Sequence, residues 1–185
     1  MKTLILNGSP RRNGDTASLL DTLIPQLAGE IMRVDCYFAD ISPCLDCRLC
    51  KTQDGCAISD GMEKIYRFLP DCDNILIASP LYFSELTGKL LDVGSRLQTC
   101  FCARHFRDEE PIPKPKRGAV ILVGGGDGRK EKAYETARAL FCMMNCREVH
   151  PLVCSHNTDH IPAIEDRQAL AGIDDIAAYF NRPNY

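Results

Sequence analysis

Two patterns of apolar and polar positions take turns along this chain: short apolar runs, and longer segments with helical spacing. Residues 3–7 (Thr-Leu-Ile-Leu-Asn) have a strand's composition and run straight into a turn set of Gly8, Ser9, Pro10, Asn13 and Gly14. A helical pattern starts at about Asp15 and continues through Leu19, Leu20, Leu23, Ile24 and Leu27, with Pro25 inside it and Gly29 as a natural stop. Residues 31–38 alternate as a second strand, whereas residues 40–56 have no period and read as a long loop of the kind that carries function. Residues 60–69 predict a short helix, capped by Ser59 or Asp60 with Glu63 near the capping-box position. The unbroken apolar run at 73–78 predicts a strand buried on both faces.

After a turn at 79–84, the spacing of Leu86, Leu90, Leu91, Val93, Leu97 and Phe101 predicts one long helix over 85–105. Residues 106–116 are charged, contain Pro111, Pro113 and Pro115, and read as a loop with polyproline character. A strand at 118–123 ends in Gly124-Gly125-Gly126-Asp127-Gly128. A helix at 129–146, a fifth strand at 148–153, an irregular stretch at 154–166 and a helix at 167–180 complete the order. No hairpin signal or internal repeat interrupts the alternation. The expectation is an α/β fold: a doubly wound, five-stranded parallel sheet in the order 2-1-3-4-5 with helices on both faces, one domain over residues 1–185. Ligands of such sheets bind beyond the carboxyl ends of the strands, where the order reverses. Three loops of unusual composition, 8–16, 79–84 and 124–128, leave those ends and are expected to converge on one site.

Composition changes this picture only when the cysteines are counted. Hydrophobic residues make up 45% and charged residues 25%, an ordinary mixture, and a net charge of -3 without a long basic run removes the electrostatic case for nucleic acid. No apolar stretch approaches the roughly 20 residues of a membrane span and no secretory segment is read, so a cytoplasmic location is expected. Eleven cysteines, an odd number, argue against a disulfide framework and toward metal or redox chemistry. Cys36, Cys72 and Cys142 lie in or beside apolar periodic segments and read as small buried hydrophobes. Cys44, Cys47, Cys50 and Cys56 do not. Their C-x2-C-x2-C-x5-C spacing sets three thiols on a tightly turning backbone and a fourth after Gly55, the spacing class of [4Fe–4S] ligands. Structural zinc sites more often use two separated pairs. Three readings stay open here: a cluster, thiols that shape the loop or do redox chemistry without metal, and another metal such as zinc. Arg48 and Lys51 would favour thiolates.

The chain's first loop gathers backbone donors and a helix dipole, and Ser9, Arg11, Arg12 and Thr16 add side-chain donors, as an anion site needs. It carries neither G-x-G-x-x-G nor G-x-x-x-x-G-K-[ST], which sets aside the dinucleotide fingerprint and the Walker loop and leaves a monophosphate. Ser79-Pro80-Leu81-Tyr82-Phe83 offers a stiffened backbone and aromatic side chains to a flat ring, with plain packing as the competing account of Tyr82 and Phe83. Gly124-Gly125-Gly126 lets main chain approach a ligand closely. A phosphate at one end and a planar heterocycle at the other describe FMN. His156 and His160, in a late loop with Cys154, read as solvent-facing, and Arg104, His105 and Arg107 are candidate contacts for a pyridine-nucleotide phosphate.

These three loops, with Thr87-Gly88-Lys89-Leu90, resemble the flavodoxin-like, NAD(P)H-dependent FMN reductase superfamily. The cysteine loop at about 40–58, read with Asp60-Gly61-Met62, resembles its iron-sulfur flavoprotein branch. The resemblance implies the FMN phosphate at Ser9, Arg11, Asp15 and Thr16, the isoalloxazine against Pro80, Leu81, Tyr82 and Phe83, and further contacts from Gly124, Gly125 and Gly126. It also implies a homodimer or homotetramer with the flavin near a subunit boundary. The expected activity moves electrons from NAD(P)H or a reduced protein donor to a small acceptor or redox protein, directly or through a [4Fe–4S] cluster. No catalytic side chain is required, and Tyr82 is a candidate contact for ring or substrate. Two other classes fit the residues: a flavin-binding electron carrier without its own substrate, and a non-enzymatic nucleotide-binding module with a structural metal loop. Asp15 stands where the family commonly has Asn. A carboxylate cannot donate to phosphate, so Asp15 is expected to cap the helix or orient Arg11. Asp60-Gly61-Met62 replaces a commoner Asp-Asp-Met.

Overall fold

Successive residues of the central strands point to opposite faces, and each face carries its own helices, in a computed structural model that describes residues 1–183. The expected domain end at residue 185 lies outside the described residues. In chain order the elements are β1 (Lys2–Asn7), α1 (Asp15–Leu23), β2 (Glu30–Asp35), α2 (Met62–Phe68), β3 (Asn74–Pro80), α3 (Gly88–Ser95), α4 (Gln98–Phe106), β4 (Lys116–Val123), α5 (Glu131–Met143), β5 (Cys146–Val149), β6 (Val153–Ser155) and α6 (Arg167–Phe180). The strands pair in parallel in the order β2-β1-β3-β4-β5, with β6 also on β4, so the doubly wound order read from the sequence holds. Leu4, Leu6, Ile75, Ile77, Val120 and Leu122 pack on one face under α2, α3 and α5. Ile5, Leu76, Ala78, Ala119 and Ile121 pack on the other under α1 and α6.

Three elements differ from their expected form. The helix read over 85–105 is two, because the N–H groups of Arg96 and Leu97 bond three residues back, to Val93 and Gly94, and tighten the turn between α3 and α4. That break turns Arg96 into the protein, where it is 1% exposed. The expected fifth strand at 148–153 is likewise two pieces. Pro151 has no N–H to give the ladder, so β5 pairs with Lys116, Arg117 and Gly118 while β6 resumes opposite Ile121 to Val123. Helix α1 stops at Leu23, and Pro25 sits in a 3₁₀ turn, Ile24–Gln26. Strand β2 ends at Asp35 rather than 38. Helix α2 begins at Met62 after Gly61 at the cap position; Met62 N–H bonds the Asp60 carboxylate at 2.9 Å and the Ser59 hydroxyl donates to Glu63, so both expected residues meet the helix start.

Candidate active site

The loops that leave β1, β3 and β4 are laced together at the carboxyl edge of the sheet. Gly8 N–H donates to the Ala78 carbonyl (2.8 Å), Leu81 N–H to Val123 (2.8 Å) and Gly124 N–H to Ser155 (2.9 Å). The Thr87 hydroxyl donates to the Gly8 carbonyl at 2.7 Å. Gly8 has no room for a side chain: a Cβ there would lie 2.7 Å from that hydroxyl and 3.0 Å from the Ser79 hydroxyl. Between the loops opens a cleft whose walls include Ser9, Arg11, Thr16, Leu81, Tyr82 and Gly125, and Asp15 and Pro80 also reach it. The expected convergence is therefore present.

At the first loop, α1 starts from Gly14 in extended conformation with no side chain capping its first turn. The leading N–H groups of that helix and its positive dipole end face the cleft beside Thr16 and Arg11, an arrangement suited to an anion. Ser9 shapes the turn: its N–H donates to Asn7 Oδ1 (3.0 Å), its hydroxyl donates to the Arg11 carbonyl (3.0 Å), and its oxygen accepts from Arg11 N–H (3.2 Å). Asn7 is held in turn by donating to Asp35 at 2.7 Å. Asp15 neither caps α1 nor orients Arg11. Its Oδ1 accepts from the Ala163 N–H at 2.8 Å and ties α1 to the turn ahead of α6, a long-range partner that local sequence could not indicate. The Arg12 guanidinium lies 3.8 Å over the Phe38 ring, a cation–π contact that takes it away from the anion site.

Tyr82 and Glu85 exchange backbone hydrogen bonds, which forces Phe83 and Ser84 into the left-handed region at φ 53° and 64°. Phe83 consequently projects from the loop fully exposed, so packing within the chain does not account for it, while Tyr82 stays at the cleft. The glycine loop is read by a second segment that sequence reasoning left irregular. Asn157, Thr158 and Asp159 N–H groups donate to the carbonyls of Gly126, Gly124 and Gly125. This brings Thr158 and Asp159 to the cleft. A Cβ on Gly125 would lie 2.6 Å from the Asp159 carboxylate. No local motif marks residues 158 and 159; only their backbone pairing with the glycines does.

Some expectations are corrected. His156 is only half-exposed: its Nε2 lies 3.2 Å from Cys154 Sγ and its Nδ1 is buried with no partner among the described residues, whereas His160 is exposed. Arg104 is held by Glu110 and by the Met143 carbonyl, and Arg107 by Glu109 and Asp54, so neither guanidinium waits for a nucleotide phosphate. Cys36 and Cys72 are buried as expected, but Cys142 is exposed on α5.

A second concavity is lined by Cys44, Cys47, Cys50 and Cys56 together with Cys102 of α4. Asp46 and Arg48 adopt left-handed φ values of 49° and 64° and Gly55 one of 86°, which curls the loop around its thiols; Asp46 N–H donates to Cys44 Sγ at 3.4 Å. The neck of the loop is closed by one side chain. Arg96 donates to the carbonyls of Ser42 (2.9 Å) and Ile58 (3.1 Å) and to Asp60 Oδ2 (2.7 Å), while its Nε has no partner among the described residues. Burial alone would raise the Asp60 carboxyl, but the hydrogen bonds from Arg96 and from the backbone of Ser42 and Met62 hold it below the usual carboxylate range. The Cys50 thiol is pushed up to about 11 by burial and by the neighbouring Cys102 and Cys44. Among the described residues, no three His, Cys, Asp or Glu side chains converge on a point where one metal ion could sit.

The chain matches the NADPH-dependent FMN reductase family over residues 1–159. An iron-sulfur flavoprotein of Methanosarcina thermophila is 24% identical, with 96% of this chain and 92% of the relative covered. Another, from Methanocaldococcus jannaschii, is 31% identical over 76% of this chain and 72% of its own length. In fold, the chain is similar to an FMN-dependent NADH-azoreductase from Bacillus anthracis solved with FMN. The TM-score is 0.73, the identity 16%, and the overlap covers 98% of this chain and 100% of that one. A NAD(P)H:quinone oxidoreductase from Methanothermobacter marburgensis gives the same score at 14% identity, covering 100% and 99%. With the three-loop cleft, these matches establish that the chain is an FMN-dependent oxidoreductase belonging to the NADPH-dependent FMN reductase family, in its iron-sulfur flavoprotein branch.

Proposed function

We propose that the protein takes electrons from NAD(P)H or a reduced protein donor onto FMN in the three-loop cleft and passes them to a small acceptor or redox protein, with a [4Fe–4S] cluster on Cys44, Cys47, Cys50 and Cys56. The observation that carries the flavin placement is the uncapped amino end of α1, aimed into the same cleft that Tyr82 and Gly125 line from the other side. The α1 N–H groups, Thr16 and Arg11 would hold the phosphate, with Ser9 fixing the turn and Asp15 anchoring the helix. Pro80, Leu81 and Tyr82 would flank the ring, and the main chain of Gly124, Gly125 and Gly126, braced by residues 157–159, would approach its edge. Phe83, projecting from the same loop, suits a neighbour across the subunit boundary of a homodimer or homotetramer. FMN supplies the hydride and single-electron chemistry, so the side chains bind, orient and exclude water rather than act as acid or nucleophile.

The cluster reading rests on the donor set: five sulfurs and the positive side chains of Arg48, Lys51 and Arg96 around one concavity suit an anionic iron-sulfur group. The C-x2-C-x2-C-x5-C spacing favours the cluster over zinc, whose structural sites more often set their cysteines in two separated pairs. The test is an anaerobic preparation in which NADPH or NADH is added to FMN-loaded protein, with iron and sulfide counted in native protein and in Cys47→Ser. The reading requires rapid flavin bleaching, four irons per native chain, and loss of most of that iron, but not of FMN, in the variant. Flavin that only a protein donor can reduce would make the chain a carrier, and full iron in Cys47→Ser would overturn the ligand assignment.

A further inference from the structure

The charged side chains lining the three-loop cleft are Arg11, Asp15 and Asp159. Arg11 faces the anion end, and Asp15 accepts from the Ala163 N–H at 2.8 Å. The Asp159 carboxylate has no hydrogen-bond or ion-pair partner among the described residues, although its backbone is fixed. Its N–H donates to the Gly125 carbonyl at 3.2 Å, and the Thr158 N–H and hydroxyl donate to the Gly124 carbonyl at 3.1 and 3.2 Å. The carboxylate thereby lies against Gly125, its two oxygens 2.6 and 2.8 Å from the place a Cβ would take. Because residue 125 has no side chain, its main chain and this charge both line the cleft.

We infer that Asp159 sets the reduction potential of the flavin: its carboxylate stands beside the ring and lowers the potential by opposing the negative charge that reduction adds. The inference rests on the flavin placement above, in which the Gly125 main chain approaches the ring, and the experiment separates the two. The FMN phosphate is already negative, so it is repelled by Asp159 and drawn to the amino end of α1. What meets this carboxylate is therefore the part of FMN that is neutral when oxidised. A hydride from NAD(P)H brings that ring two electrons and one proton, and leaves it one charge more negative. Like charges so placed are less screened than in water, and the electron-rich state is the one disfavoured. Asparagine at 159 keeps the shape of the side chain and removes its charge. Asp127, exposed on the glycine loop but not on the cleft wall, gives a control for net charge alone.

FMN-loaded native protein, Asp159→Asn and Asp127→Asn are titrated anaerobically against dyes of known potential while flavin absorbance is followed, and FMN affinity is measured by fluorescence quenching. Asp159→Asn is expected to bind FMN and to raise its two-electron potential, by up to about tenfold in the reduced-to-oxidised ratio or about 30 mV. Asp127→Asn is expected to match native protein. Equal potentials in native protein and Asp159→Asn, or an equal rise in Asp127→Asn, would overturn the inference alone. Loss of FMN from Asp159→Asn would make Asp159 a structural element of the loop and would also overturn it. Native protein that binds no FMN would overturn this inference and the flavin placement together.

Discussion

Arg96→Met is expected to destabilise the protein by about 3–5 kcal/mol, the usual loss when one partner of a buried ion pair is removed. The reason is the number of groups that one guanidinium satisfies. Its side chain has no exposure and Asp60 has 6%, so the variant leaves a buried carboxylate and the carbonyls of Ser42 and Ile58 without their donor. A folded domain commonly has only about 5–15 kcal/mol in hand, so urea denaturation should show a large drop in midpoint. The pH dependence has a definite sign. Asp60 is held below its unfolded value, near 3.9, so its contribution is complete above that pH and is lost as pH falls through the lower folded value. The gap between native protein and Arg96→Met should therefore narrow in acid. A gap of under 1 kcal/mol at neutral pH would show that the neck of the cysteine loop does not depend on this residue.

Gly125→Leu is expected to abolish useful FMN binding, by about 100-fold or more, while leaving the fold intact. Overpacking costs about 1–3 kcal/mol, and the new side chain would also occupy the cleft. A Cβ at 125 meets the Asp159 carboxylate at 2.6 Å, so the Asp159 side chain must swing aside as the new side chain enters the cleft. Asp159→Ala in the same chain should relieve part of the effect by clearing that contact. Circular dichroism separates misfolding from loss of binding, and native affinity in Gly125→Leu would mean that the flavin does not approach this backbone.

The doubly wound order and the three converging loops were legible because both depend on local signals: period, turn residues, and the apolar run of a doubly buried strand. Helix α6 matched its expected span because Asp166 caps it in sequence, accepting from Gln168 and Ala169. What the sequence hid were partners fixed by tertiary contact. The hydrophobic period carried smoothly across Arg96 because a guanidinium inside a helical pattern reads as a polar face, and nothing local says that it turns inward to meet residues 42, 58 and 60. Asp15 is the same case, since its partner Ala163 lies 148 residues further along the chain. Thr158, Asp159 and Cys102 escaped for the converse reason. Each sits in a segment without a motif and reaches its site only through the backbone of another loop or the face of another helix.

The phosphate end of the cleft is tested most directly by comparing FMN with riboflavin, which lacks the phosphate, through quenching of flavin fluorescence in native protein, Arg11→Ala and Thr16→Ala. A hydrogen bond to a charged group is worth about 1.5–3 kcal/mol, so each variant should weaken FMN about tenfold or more and leave riboflavin nearly unchanged, shrinking the preference for FMN. FMN affinity that is unaltered in both variants, or a native protein that does not prefer FMN over riboflavin, would contradict the placement of the phosphate at the amino end of α1.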